Sequence, residues 1–168
     1  MSMNLPLLFQ NLAQSNVDFV IIGGFAAVAL GVPYVTQDID ICYNPDSANI
    51  VRLEKALASL HPRLRVQGLT DEEARTLPFH LDTKTLQQTA ILTLRTDVAE
   101  LDLMHSVPGV GTYPQVKNAA IAVPLFGFQL LVLDLPALIA SKHASGRPKD
   151  LLILPDIEAT LRLREQQN

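Results

Sequence analysis

The chain has 168 residues, 48% apolar and 18% charged, which points to one domain with a real core and excludes a disordered tail. Its 13 basic residues stand against 17 acidic ones, for a net charge of −4, so a grip on nucleic acid by the whole surface is not supported. The single Cys42 excludes an intramolecular disulfide, and the opening "MSMNLPLLFQNL" has no basic leader; no stretch reaches the roughly 18 apolar residues of a membrane helix, so a cytoplasmic protein with no membrane partner is expected.

Leu5, Leu8, Leu12 and Ala13 recur at helical spacing and predict a first helix over about 4–15. "VDFVIIGG" is a nearly continuous β-branched run closed by Gly23 and Gly24, as expected of a strand buried on both faces. "FAAVAL" predicts a helix ending at Gly31, and Pro33 bars its continuation. "VTQDIDICY" is the second strand. Asn44-Pro45-Asp46-Ser47 forms a turn that caps a helix over about 47–60, with Ile50, Leu53, Leu57 and Leu60 on one face. "RLRVQG" predicts a short strand, whereas residues 68–88 are polar and carry no clear period. "TAILTLRT" and "VAELDLMH" predict a hairpin through Thr96-Asp97, and "VPGVGTYPQ" a loop. "AAIAVPLFG" and "FQLLVLD" are further β-like runs. Asp134 caps a helix over about 135–145 that ends at Gly146, and Pro148 opens another to about 166. The order implies an α/β or α+β fold, a mixed sheet flanked by helices, in a single domain with a C-terminal helical pair.

Strand side chains alternate with period two, so Asp38 and Asp40 share one face while Ile39 and Ile41 turn to the core. Two neighbouring carboxylates repel, and a bound cation relieves this. Mg²⁺ suits them, with Mn²⁺ as an alternative, because it takes hard oxygen ligands and shares its shell with phosphates. Taken alone, the pattern more simply describes a solvated edge strand. Gly23-Gly24 ends one strand and opens a helix, where bare N–H groups receive phosphate; alone it is more simply a tight turn with no ligand. Together, on consecutive strands, the two features describe a site for a metal-bound triphosphate. "AELDLMH" puts Glu100, Asp102 and Met104 on one face. Asp102, flanked by leucines, is the favoured third carboxylate if its strand lies at the usual ~4.8 Å from that of Asp38; otherwise it is a surface acid on a hairpin.

Leu135, Leu138, Ile139 and Lys142 follow i, i+3, i+4 and i+7, so Lys142 continues an apolar stripe. It either snorkels past the core edge or meets an anion in a cavity. Asp150 is placed to stabilise the N-terminus of the last helix. His61, His80, His105 and His143 are too scattered for a zinc signature, although His105 could line the cleft of Asp102. No dinucleotide fingerprint, P-loop or nucleophile elbow occurs.

Gly23-Gly24, thirteen intervening residues and "DIDI" resemble the signature of the DNA polymerase β-like nucleotidyltransferase superfamily, and "VIIGGFAAVALGVPYVTQDIDI" is similar to its small prokaryotic members, including AbiEii-type toxins. The resemblance implies two Mg²⁺ ions on Asp38, Asp40 and Asp102, and transfer of a nucleoside monophosphate from an NTP to an acceptor hydroxyl of RNA, protein or a small molecule. It also implies nucleotide contacts from Gly23, Gly24, Thr36, Lys142 and Arg147, with Lys149 and Asp150 as weaker candidates. A homo-oligomer or a cognate partner chain would complete the acceptor surface. Where relatives often carry a basic residue shortly before the acids, this chain has Tyr34. A non-catalytic relative that binds nucleotide or a partner protein therefore stays open, as does a purely solvated acidic face.

Overall fold

The computed structural model describes residues 3–167. Among them, seven strands form one mixed sheet: β1 (Phe19–Ile22), β2 (Asp38–Tyr43), β3 (Arg63–Leu64), β4 (Ile91–Arg95), β5 (Glu100–Met104), β8 (Ala120–Leu125) and β9 (Phe128–Leu133). Their order is β3-β4-β5-β2-β1-β9-β8. The pairs β2–β5 and β1–β9 are parallel and the others antiparallel. A separate two-stranded ribbon consists of β6 (Ser106–Val107) and β7 (Gly111–Thr112). The helices are α1 (Leu5–Gln14), α2 (Gly23–Ala29), α3 (Ser47–Ala58), α4 (Asp71–Arg75), α5 (Thr83–Gln88), α6 (Tyr113–Asn118), α7 (Leu135–Ser145) and α8 (Pro148–Gln167). The fold is α/β, a mixed sheet with flanking helices.

β1 lies between β2 and β9, and all four of its residues are buried, which is why it reads as an unbroken apolar run. β2, β4 and β5 alternate instead. Ile39, Ile41, Leu92, Leu94, Leu101 and Leu103 enter the core, which also receives Leu8 and Leu12 of α1 and Ile50, Leu53 and Leu57 of α3. Their burial drives the sheet together and fixes its register, since a slip of one residue would expose every one of the strand leucines.

Four expectations need correction. The second strand begins at Asp38, not Val35; Thr36 donates its hydroxyl to the Asp38 carbonyl at 3.1 Å, a local bond that competes with the ladder. The "RLRVQG" strand keeps only two paired residues. The unassigned 68–88 segment holds two short helices made by their caps: the Thr70–Glu73 capping box starts α4, and Asp82 accepts from the Thr85 N–H at 2.7 Å to start α5. The expected 107–115 loop contains the ribbon and the start of α6, where Thr112 and Gln115 form a capping box. Among the described residues no helix is long and apolar enough to cross a membrane.

Candidate active site

Two rows of cross-strand neighbours run over the polar face of the sheet. In the first, Arg63 pairs with Arg95, Arg95 with Glu100, and Glu100 with Asp38. In the second, the Arg65 N–H donates to the Thr93 carbonyl at 3.0 Å, Thr93 pairs with Asp102, and Asp102 with Asp40. Residues in register lie on the same face, so each row passes from a cationic edge to an anionic centre. The strand of Asp102 does neighbour that of Asp38 and Asp40, in parallel and in register.

Asp40 is pushed up to about 7 by burial and by the like charges of Asp38 and Asp102, against a weaker pull from Lys142 and Lys149. Burial also raises Asp102, with Arg65 opposing and Asp38 and Glu100 adding to the shift. Burial would raise Glu100 too, but hydrogen bonds from Arg65 and Arg95 outweigh it and hold that carboxyl low. Asp40 is thus the acid whose charge is least compensated.

Gly23 has a φ of +66°, and a Cβ there would overlap the Asp40 carboxylate. A Cβ on Gly24 would come within 3.0 Å of both Thr36 Oγ1 and Tyr34 Cε1. The glycine pair therefore makes room for Asp40, Thr36 and Tyr34. The single hydroxyl hydrogen of Thr36 is shared between the Asp38 carbonyl at 3.1 Å and Asp38 Oδ1 at 3.2 Å, which keeps Thr36 beside the first acid.

A narrow recess of about 60 Å³ brings together Gly24, Tyr34, Thr36, Asp38, Asp40 and Asp102 from one side and Lys142, Arg147, Lys149 and Asp150 from the other. A second cavity of about 350 Å³ shares Asp40, Asp102, Lys142 and Arg147. It adds Gly23, apolar walls from Ile91, Met104, Val107 and Pro108, and the hydroxyl residues Thr93, Ser141 and Ser145. The nominated acids, glycines, Thr36 and the cations Lys142, Arg147 and Lys149 each lie at one or both.

The anion that Lys142 meets is Asp150, 1% exposed: Lys142 Nζ is 2.5 Å from its Oδ1 and Arg147 Nε 2.5 Å from its Oδ2. Burial would raise the Asp150 carboxyl, but these bonds hold it low. His105 does not line the cleft. It turns to the opposite side, where its Nε2 lies 2.6 Å from the Tyr43 hydroxyl, because it is an odd number of residues from Asp102.

Arg65 belongs to this site without being part of any motif named above. Its guanidinium contacts Asp102 at 2.6 Å and Glu100 at 2.8 Å and lies 3.6 Å from Asp38. The signal was present: "RLR" alternates charge and leucine with the same period as "DID" and "ELD", with opposite sign.

In chemistry, three oxygen-donor side chains on one face, with Asp40 short of compensating charge, fit a hard divalent cation. As they stand, no three His, Cys, Asp or Glu side chains among the described residues are grouped to hold a metal ion. Arg65 already supplies positive charge to two of the three acids.

No family model matches the chain, and no curated protein matches it. Among solved structures, it is similar to a candidate nucleotidyltransferase of Thermotoga maritima, with a TM-score of 0.48 and 17% identity over 98% of this chain and 90% of that one. A likeness of that strength describes the course of the backbone and says nothing of chemistry.

Proposed function

We propose that the chain is a metal-dependent nucleotidyltransferase that moves a nucleoside monophosphate from an NTP to an acceptor hydroxyl. The observation that carries this reading is the register of Asp40 against Asp102, with Asp38 on the same face and Lys142 and Arg147 across the recess. Asp38, Asp40 and Asp102 are the residues to hold Mg²⁺ or Mn²⁺. When bound, such an ion neutralises phosphate charge and polarises the reacting phosphoryl group.

In the transfer, a bond forms between the acceptor oxygen and the α-phosphorus, the bond from that phosphorus to the bridging oxygen breaks, and pyrophosphate leaves. Asp102, whose carboxyl is raised by burial, takes the acceptor's proton. Lys142 and Arg147 turn from Asp150 toward phosphate oxygens, with Gly23, Gly24 and Thr36 lining the approach. The apolar walls of the larger cavity give one part of a nucleotide or acceptor a dry surface. The lone, buried Cys42 supports a reducing, cytoplasmic setting.

The test incubates the full chain with each labelled NTP, Mg²⁺ or Mn²⁺, and separate RNA, protein and small-molecule acceptor pools. Label transfer that disappears in Asp38→Ala, Asp40→Ala and Asp102→Asn supports the reading and identifies the acceptor class. A second reading is a relative that binds nucleotide without transfer. Arg65 seated against Asp102, and Tyr34 beside the acids, favour it; NTP binding with no transfer to any pool would establish it.

A further inference from the structure

We infer that Arg65 is the site's own counter-cation and competes with the divalent ion for Asp102 and Asp38. This inference rests on the transferase reading. Arg65 extends from the edge of the sheet over the small side chain of Thr93, whose carbonyl holds its backbone N–H. The fork is divided: Nη1 bonds Glu100 at 2.8 Å and Nη2 bonds Asp102 at 2.6 Å, while Nη1 lies 3.6 Å from Asp38. Glu100 sits one register step from Asp102 and pairs with Asp38 across the strands, so the guanidinium can release Asp102 and stay anchored on Glu100.

Arg95 also bonds Glu100, on its other oxygen, Oε1, at 2.9 Å. It fixes the anchor without reaching Asp102. A planar guanidinium satisfies carboxylates directionally, whereas a small divalent ion needs their oxygens gathered around one point. The two arrangements exclude one another at Asp102. The apparent affinity for metal would then be the intrinsic affinity multiplied by the fraction of molecules in which Arg65 has let go.

The experiment measures Mn²⁺ binding to the full chain by electron paramagnetic resonance, with Arg65→Gln as the main variant and Arg65→Lys as the second. Arg65→Gln is expected to bind Mn²⁺ at least about fivefold more tightly than the parent, the lower end of ordinary coupling between competing ligands. Adding Asp102→Asn to it should cancel the gain, and Arg65→Lys should fall between. In the parent, the guanidinium nitrogen signal that disappears in Arg65→Lys should shift as Mg²⁺ is added. A merely structural arginine would not tighten metal binding when removed. Unchanged or weaker Mn²⁺ affinity in Arg65→Gln at parental melting temperature, or an unmoved guanidinium signal while Mg²⁺ binds, overturns the inference. If the parent binds Mn²⁺ and transfers label while the variants bind it equally, only this inference falls. If parent and variants alike bind no Mn²⁺ and transfer nothing, the transferase reading falls with it.

Discussion

Asp40 lies directly beside Asp102 on the neighbouring parallel strand, and the cations acting on it, Lys142 and Lys149, do so through space. Its carboxyl is raised to about 7 from an ordinary 3.8 by burial and two like charges. The folded chain therefore keeps a proton there that the unfolded chain releases. This group's stabilising contribution is fully present below the unfolded value and is lost as pH rises from about 4 through about 7. Asp40→Asn should raise the melting temperature at about pH 8 and flatten its dependence on pH between about 5 and 8. Parallel melting curves for parent and variant across that range would contradict the assignment.

Gly23→Ala should harm the protein in two ways. The backbone there is left-handed at φ +66°, and the new methyl would overlap the Asp40 carboxylate. Gly31 is also left-handed, at φ +91°, with nothing within 4 Å of the place an added methyl would take. Gly31→Ala should therefore lose only about 1 kcal/mol to strain, and Gly23→Ala clearly more, about 2–3 kcal/mol. Chemical denaturation gives both values. Label transfer should survive Gly31→Ala and vanish in Gly23→Ala.

Asp150 is buried with two cations on its oxygens. Asp150→Ala leaves Lys142 half-enclosed without its partner and should destabilise by about 3 kcal/mol. The exposed Asp156→Ala, on the same helix, should change stability by no more than about 0.5 kcal/mol. Equal denaturation midpoints for the two variants would contradict a structural role for the Asp150 cluster.

Arg63 is enclosed and makes two bonds to Asp71, at 2.5 and 2.9 Å, and one to Asp97 at 2.9 Å. It ties α4 to the sheet edge. Arg63→Ala should cost about 2 kcal/mol and speed hydrogen exchange across α4. Arg75 reaches the same two acids from solvent, 48% exposed, and its removal should cost about 0.5 kcal/mol or less. Exchange rates in α4 that respond equally to both substitutions would reverse this ranking.

The alternation in "DIDI" and "ELDL" made both acid faces legible, because one-sided burial leaves a period of two in the sequence. That the faces are adjacent was not legible: Asp40 opposite Asp102 depends on a parallel pairing between strands more than fifty residues apart. The alternation of "RLR" is visible in the sequence, but only the pairing of this short edge segment with β4 brings Arg65 over the acids. The helices α4, α5 and α6 were missed for another reason. They are five or six residues long and are specified by caps such as Thr70–Glu73 and Thr112–Gln115 instead of an apolar stripe. The glycine pair reads in the sequence as a backbone turn, whereas its neighbours in space show that it also makes room for Asp40 and Tyr34.

Ile39, Ile41, Leu101 and Leu103, each 0–1% exposed, set the alignment of β2 on β5 from the face opposite the acids. The scaffold owes little to the carboxylates it displays. A substitution among the acids can thus leave the scaffold intact. The reverse is not available: changes to those four apolar side chains disperse the acids along with the core.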